Sequence, residues 1–514
     1  MIGSGRDKDF VADLLVFAAA ALVMGLALLP REATDTAIPA GPDPALVHEI
    51  ELVAIAHSAS EQFPAEVQAQ IGLTGEPLAT RRGVLEELER RLTSLPPSPD
   101  LELVRLALAT AWREDDLAHR GLHLFEDRFK SSAQPATGGS AQPGETARTA
   151  ADAVDAVIAA RLTRARPAVD ALLELNAGRP AKDLAILETW LREVGASRWL
   201  VGLVRARHLA NTNDPAQAAL DAEMGEIAQS VALRHAMFFA LGIGLVTLGA
   251  LLFGLFPGVI RPRLLKGRLV RELSPSPFLI ERTRRILLGW FAGAHLAGML
   301  VAMALAVIGA QAFMQPLAGL ASGLVGLLLI RHWGLPPEQT VSLFLLLDLG
   351  GPAEPEKRVR TGKKLLWAIP AVVAALAISV ALTSFFEILN QMLIGGPPDT
   401  QNAIKQLLAL DDTLSLVMLG LSAVLIAPLV EEIIFRGFLY RNLRDTVGKG
   451  LAAVVSGLVF GLVHLHPTLI LPLTGLGIAL ALLYEWTGSL WVPIAAHMAF
   501  NLLTLVRVEA IWRI

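Results

Sequence analysis

Polar residues that could carry out a hydrolytic step lie in three apolar segments near the C-terminal end of the chain. Glu431 and Glu432 follow the run LSAVLIAPLV, His464 ends the run VSGLVFGLVH, and His497 and Asn501 lie in WVPIAAHMAFN. Ionisable side chains are costly inside a membrane and commonly mark functional sites there. A carboxylate with an imidazole can activate water, and neutral donors can stabilise the negative charge that develops. These five residues are therefore the candidates for chemistry.

Helical spacing predicts different roles for the two adjacent glutamates. Glu432 and Arg436 are four residues apart with the acid N-terminal, which is the better orientation for an ion pair on one helix face. Glu432 is therefore expected to be structural. Glu431 lies about 100° further round the helix and has no such partner along it. Burial without a counter-ion favours uptake of a proton, which suits Glu431 to the role of general base.

Two further pairs repeat the four-residue spacing. His497 and Asn501 would share one helix face, as two donors aimed at one point would. Phe460 and His464 would do the same, with the phenyl ring shielding the imidazole.

Simpler explanations exist for single members of this set. The Glu-Glu-x-x-x-Arg cluster alone is consistent with a buried ion pair that fixes helix packing. A lone histidine in an apolar helix is more often a packing residue, and we interpret His295 in GWFAGAHLAG in that way. Glu485 is expected at the end of a span, near water. The combination of an unpaired Glu431, His464 and the His497–Asn501 face is what favours a site.

The elements that must position these residues follow from the composition. Hydrophobic residues make up 53% of the 514 residues and charged residues 18%, with a mean hydropathy of +0.52. A soluble domain carries about 25% charge. The absence of cysteine excludes disulfides, thiolate metal sites and a cysteine nucleophile, and no basic tract suggests a nucleic-acid partner. We predict an all-α fold, a polytopic membrane helical bundle with a soluble helical insert.

The distribution of charge predicts the domains. Residues 31–230 hold 20 Lys and Arg against 30 Asp and Glu, whereas the rest of the chain holds 24 against 18. We therefore predict a membrane anchor at 1–30, a soluble acidic helical extracytoplasmic domain at 31–230 and a polytopic membrane domain at 231–514. The low-complexity stretch at 131–146 is expected to be a flexible linker. Helical periodicity inside the acidic domain is found at 46–72, 82–94, 101–128, 150–177, 181–194 and 215–230.

Apolar runs predict eight to nine transmembrane helices, because about 20 apolar residues cross a bilayer. The run at 10–29 is interpreted as an uncleaved anchor, and the run at 341–350 is too short to cross. The remaining spans are predicted at 234–257, 286–312, 316–331, 365–388, 414–435, 450–465, 468–485 and 490–506.

Loops rich in Lys and Arg predict the orientation. The loops 258–285, 351–364 and 436–449 fall two spans apart and are assigned to the cytoplasm by the positive-inside rule. The N-terminus is then cytoplasmic and residues 31–230 lie outside the cytoplasm. The expected location is the lipid bilayer of a bacterial inner membrane.

The three polar segments resemble the motifs of the CPBP intramembrane proteases, also called ABI or Rce1-like, which include the type II CAAX prenyl endopeptidases. Glu431-Glu432-Ile-Ile-Phe-Arg436 is similar to their EExxxR motif, Phe460-Gly-Leu-Val-His464 to FxxxH and His497-Met-Ala-Phe-Asn501 to HxxxN. The resemblance covers about residues 365–506 and does not extend to 31–230.

The resemblance implies hydrolysis of a peptide bond inside the membrane, in a peptide or prenylated protein substrate. Glu431 and His464 would activate a water molecule, and His497 with Asn501 would form the oxyanion hole. The expected supporting residues are Glu432, Arg436 and Phe460.

The metal content of such a site is a separate question, since the family is usually labelled metalloprotease. We expect no obligatory metal, because the sequence has no HExxH pair and His497 is accounted for as the partner of Asn501. The alternative is a zinc ion held by Glu431, His464 and His497.

Two other functions are consistent with the sequence. The first is a non-catalytic membrane scaffold or immunity-type partner-binding protein, in which residues 31–230 bind a protein partner. The second is a transporter that uses the Glu and His residues as a proton relay. The polar residues are confined to three helices, and no repeated half with broken helices is found, which argues against a transporter.

Overall fold

The computed structural model of the chain describes residues 80–93, 99–122, 164–266, 272–273, 275–335, 361–394, 413–466 and 469–512, with single positions between 47 and 59. All regular secondary structure in these residues is helical, so the predicted all-α class is confirmed. The apolar run at 10–29, the linker at 131–146 and the run at 341–350 lie outside the described residues.

The described residues form two compact units. One consists of Phe239–Arg507, and the other of the described residues up to Phe238 together with those after Arg507. The domain limits predicted at residues 30 and 230 and the solubility of the insert stay predictions.

The unit that ends at Phe238 is a set of helices around an apolar core. Its helices are α1 (Arg81–Thr93), α2 (Pro99–Ala111), α3 (Leu184–Glu193), α4 (Arg198–Thr212) and the first part of α5 (Ala216–Leu255), with further helical residues at 115–122 and 164–176.

Local signals set the ends of these helices. The Ser197 hydroxyl accepts a hydrogen bond from the Leu200 N–H at the start of α4, and Asn213 ends that helix in the left-handed conformation, with φ 53°. The single helix predicted at 101–128 is interrupted after α2, where Arg113 has φ 63°. The sequence periodicity continued through this turn and did not reveal it.

Helix α5 is continuous where the sequence predicted two elements, a helix at 215–230 and a span at 234–257. The stretch 226–241 contains neither proline nor glycine. Since nothing in it interrupts the backbone hydrogen bonds, one helix runs from Ala216 to Leu255.

The membrane unit contains helices that overlap the predicted spans. The helices of this unit are the second part of α5, then α6 (Arg261–Lys266), α7 (Thr283–Val307), α8 (Met314–Trp333), α9 (Thr361–Ile394), α10 (Thr413–Val447), α11 (Lys449–Leu462), α12 (Ile470–Thr487) and α13 (Trp491–Trp512). However, α6 lies in the predicted loop 258–285, and α10 continues through most of the predicted loop 436–449. Seven helices among the described residues are long and apolar enough to cross a membrane, and α11 is an apolar helix of 14 residues. The chain is an integral membrane protein.

Helix α12 lies at the centre of this unit and positions its neighbours. In its most apolar stretch 83% of the residues are buried, against 11–28% for the other candidate spans. Helix α11 approaches it through glycines, because a Cβ atom at Gly477 would lie 2.6 Å from the Cα of Gly457. Small residues of this kind allow two membrane helices to approach closely.

Candidate active site

Helix α10 carries both glutamates between two changes of helical geometry. The α-helical turn Ala427–Glu432 lies between the π-helical segments Ser422–Ile426 and Ile433–Tyr440. Short π segments inside α-helices are frequent at functional sites. The apolar sequence on either side of the glutamates contains no signal for this geometry.

The ion pair predicted between Glu432 and Arg436 is present. Arg436 Nη1 donates to Glu432 Oε1 at 2.6 Å, and both side chains are fully buried. Arg436 Nη2 also donates to the Gly477 carbonyl at 3.1 Å, and its guanidinium lies 4.6 Å from the ring centre of Phe460. The pair therefore ties α10 to both α12 and α11.

His497 lies between the two glutamates. Its Nδ1 is 3.0 Å from Glu432 Oε1, and its Nε2 is 3.8 Å from Glu431 Oε2. Because a carboxylate accepts hydrogen bonds, Nδ1 is the protonated nitrogen and Nε2 faces Glu431. Glu432 thus orients His497, in addition to its predicted pairing with Arg436.

Asn501 makes a contact that the sequence did not predict. Its Nδ2 donates to the carbonyl of Ala423, in the first π segment of α10, at 2.8 Å. Asn501 and His497 are both on α13, but they engage different turns of α10. Their joint role as an oxyanion hole stays a prediction.

A cavity of about 210 Å³ brings Glu431 and His464 together. Helices α7, α8 and α10 and the end of α11 line it. Its lining among the described residues includes neither His497 nor Asn501. The lining residues are Trp290, Phe291, Ala294, His295, Gly319, Ser322, Ala427, Val430, Glu431, Phe435, Val463 and His464.

Aromatic rings connect the cavity to the buried ion pair. Trp290 packs edge-on against Phe435 at 5.6 Å, and Phe435 packs against Phe460 at 5.2 Å. Phe460 is fully buried and also contacts His464 at 4.9 Å and His497 at 5.8 Å. The predicted contact of Phe460 with His464 is present, and this one ring also touches His497.

His295 also lines the cavity, in addition to the packing that the sequence predicted for it. Its Nδ1 is 2.7 Å from the carbonyl oxygen of Phe291, and the two rings are 4.3 Å apart. His464 has the same arrangement with Phe460, with Nδ1 2.7 Å from that carbonyl oxygen. The shared spacing Phe-x-x-x-His, at 291–295 and at 460–464, was the signal in the sequence that could have identified it.

Glu485 lies at the end of α12, as predicted, but its side chain is buried. Its side chain is buried among Arg444, 2.9 Å from Glu485 Oε2, Lys449, 2.7 Å from Oε1, and the Tyr440 hydroxyl, which donates to Oε2 at 3.2 Å. These partners come from α10 and the start of α11. They pair with the carboxylate at the end of α12 and so allow its burial.

No cluster of His, Asp and Glu side chains suited to holding a metal ion is found in the described part of the chain, and the zinc alternative stays a prediction. His497 is held by Glu432 and lies outside the lining that contains Glu431 and His464.

Comparison with known proteins agrees with the three motifs. Residues 413–503 match the family model described as type II CAAX prenyl endopeptidase Rce1-like. This segment contains all the residues on which the resemblance rests, from Glu431 to Asn501. The resemblance to this family is confirmed.

Two bacterial relatives are similar to this chain. It is 28% identical over 159 residues to a putative membrane peptidase, YdiL, of Bacillus subtilis (strain 168), which covers 30% of this chain and 62% of the relative. It is also 28% identical over 169 residues to the membrane-embedded CAAX protease MroQ of Staphylococcus aureus (strain USA300), which covers 32% of this chain and 66% of the relative. The chain therefore spans less than two thirds of either relative's length. No solved structure matches it.

Proposed function

We propose that the protein is an intramembrane endopeptidase that hydrolyses a peptide bond with a water molecule activated by Glu431 and His464. The observation that carries the proposal is the cavity in the membrane unit, where a carboxylate and an imidazole from different helices line one space. Such a pair can take the proton of an attacking water. The family match at 413–503 and the two membrane peptidases support the same reaction class.

Glu431 is the general base in this proposal. Its side chain is 23% exposed, whereas that of Glu432 is fully buried, so a water molecule can reach Glu431 more readily. The carboxylate of Glu432 is already engaged by Arg436 and His497. In this proposal Glu431 takes part in the reaction, and Glu432 holds Arg436 and His497 in place.

His464 is suited to assist Glu431 because its tautomer is fixed. The Phe460 carbonyl oxygen can only accept, so the hydrogen of the neutral ring lies on Nδ1 and Nε2 is left as the basic nitrogen. A nitrogen in that state can hold the water or share its proton.

His497 and Asn501 would stabilise the oxyanion in this proposal. His497 donates from Nδ1 to Glu432, so its Nε2 can donate only in the doubly protonated ring. Asn501 keeps a second N–H on Nδ2 besides the one given to Ala423. Both donors would have to turn towards the reacting carbonyl when substrate binds.

The proposed substrate is a membrane-associated peptide with a prenylated cysteine near its C-terminus, by similarity to the family description and to MroQ. The apolar members of the cavity lining, such as Trp290, Val430 and Phe435, suit a lipid-modified substrate. Residues 31–230 are proposed to bind a protein partner or the substrate.

The test is hydrolysis of a farnesylated CAAX peptide by the full chain in lipid nanodiscs, followed by mass spectrometry, with the unprenylated peptide in parallel. The parent should cleave the farnesylated peptide, and Glu431→Gln and His464→Ala should lose about two to four orders of magnitude in kcat/KM, the usual contribution of a general base. Glu281→Gln, in the exposed turn Ile280–Arg282 outside the cavity lining, is the matched control and should keep full activity.

The alternative of a non-catalytic partner-binding protein makes the opposite prediction. If the well-folded parent cleaves neither peptide, and the Glu431→Gln variant behaves like the parent in the same assay, the proposal is contradicted and a scaffold function is favoured.

A further inference from the structure

We infer that His295 is the general acid of this site and delivers a proton from Nε2 to the leaving amine nitrogen. The inference rests on the proposed peptidase function and adds a residue on α7 that lies outside the segment matched by the family model.

His295 and His464 present the same local structure to one cavity. Each follows a phenylalanine by four residues, packs against that ring and lies with Nδ1 2.7 Å from its carbonyl oxygen. The carbonyl fixes the hydrogen on Nδ1, so in both rings Nε2 is the nitrogen that gains or loses a proton.

Hydrolysis of an amide requires an acid as well as a base. The attacking water gives its proton to Glu431, and the amide nitrogen must receive a proton before the carbon–nitrogen bond can break, because an amide anion is a very poor leaving group. His464 is assigned to the water. His295, on a different helix, is then available as the acid.

The proton balance of the step is complete. Water oxygen bonds to the carbonyl carbon while Glu431 takes one water proton, and the carbon–nitrogen bond breaks as Nε2 of the His295 imidazolium protonates the departing nitrogen. The products are a carboxylic acid and an amine. Transfer of the proton from Glu431 to His295, through solvent, restores both groups.

The charges around the cavity favour this assignment. Among the described residues that line it, Glu431 is the one carboxylate, and none is Lys or Arg. His295 therefore shares this cavity with one carboxylate and with no lysine or arginine side chain among the described lining residues. Ser322, which also lines the cavity, accepts a hydrogen bond from Trp290 Nε1 at 3.2 Å, and a serine hydroxyl is a far weaker acid than an imidazolium.

The experiment compares two bonds that differ in their need for an acid. The probes are a farnesylated CAAX peptide, whose leaving group is an amine, and N-acetyl-S-farnesylcysteine p-nitrophenyl ester, whose leaving group departs without a proton. The full chain in nanodiscs is tested as the parent and as His295→Ala. His332→Ala, which removes an exposed histidine of α8 outside the cavity lining, is the matched control.

The inference predicts that His295→Ala lowers kcat on the peptide by about two to four orders of magnitude but on the ester by less than about tenfold. Added imidazole should restore part of the peptide hydrolysis. His332→Ala should match the parent on both probes, and Glu431→Gln should lose both reactions.

Two results overturn the inference and leave the proposed function intact. One is full peptide hydrolysis by His295→Ala, and the other is an equal loss on both probes without rescue by imidazole, which would assign His295 to structure. If the folded parent hydrolyses neither probe, the proposed function itself fails, and the inference fails with it.

Discussion

The substitution Glu432→Gln separates charge from hydrogen bonding at the buried ion pair. Both Arg436 Nη1 and His497 Nδ1 contact the same atom, Glu432 Oε1, at 2.6 and 3.0 Å. A glutamine can place its one acceptor oxygen there, so these two hydrogen bonds can survive. What is lost is the negative charge that compensates the fully buried guanidinium of Arg436.

The expected size of the effect follows from this geometry. Removing one member of a buried ion pair costs about 3–5 kcal/mol, because the other charge is left uncompensated. The new amide group would occupy the place of Glu432 Oε2, a buried atom with no hydrogen-bond partner, and an unsatisfied donor there costs about 1–3 kcal/mol. These two costs overlap. We therefore expect a total of about 3–5 kcal/mol, or a fall in Tm of roughly 6–20 °C for a unit of this size.

The assay is thermal unfolding of the full chain in detergent, followed by tryptophan fluorescence, with peptide hydrolysis measured on the same samples. Glu431→Gln is the matched control and should unfold within about 2 °C of the parent while losing activity. The double variant Glu432→Leu with Arg436→Met should recover most of the lost stability, since apolar groups of similar volume often replace a buried pair without cost. It should stay inactive, because His497 then has no carboxylate to orient it.

The reasoning is refuted if Glu432→Gln unfolds at the temperature of the parent, or if the double variant is no more stable than the single one. If Glu431→Gln is fully active while Glu432→Gln folds normally and is inactive, the roles of the two carboxylates are reversed.

Four further predictions concern other parts of the molecule. Gly477→Ala should destabilise the membrane unit by about 1–3 kcal/mol, because the new Cβ atom would meet the backbone of Gly457. The control Gly450→Ala has open space around its new Cβ atom and should be neutral, or stabilising by up to about 1 kcal/mol, in the same unfolding assay. Burial raises the pKa of Glu51 to about 8, against the opposing hydrogen bonds from Ser197, so the contribution of Glu51 to the stability of the fold is complete below about pH 4.5 and lost as the pH rises through 8. In Glu51→Gln the free energy of unfolding, measured by hydrogen exchange of the α4 amides, should therefore depend less on pH than in the parent. An equal pH dependence in the two proteins would contradict this. Asn501→Ala should lower kcat by about two to three orders of magnitude, and a loss of stability alone would instead assign Asn501 to holding Ala423. A metal chelator should leave peptide hydrolysis unchanged, and loss of activity that zinc restores would establish the zinc alternative.

The sequence by itself predicted what depends on residues close together along the chain. The contact of Arg436 with Glu432 and that of His464 with Phe460 are both i, i+4 relations, which helical geometry sets whatever surrounds the helix. The apolar runs predicted the membrane helices in the same way, since the thickness of a bilayer sets their length. The three motifs were sufficient for the resemblance to the family.

The tertiary structure decided which faces of these helices meet. The contact of His497 with Glu432 joins residues 65 positions apart, and the entry of His295 into the cavity depends on how α7 is rotated against α10. A helix that is apolar on all sides gives no sign of that rotation, since every face suits lipid or a neighbouring helix equally well. The burial of Glu485 likewise could not be read from the sequence. Its partners Arg444 and Lys449 come from other helices, and only the tertiary structure places them beside the carboxylate, where they compensate its buried charge.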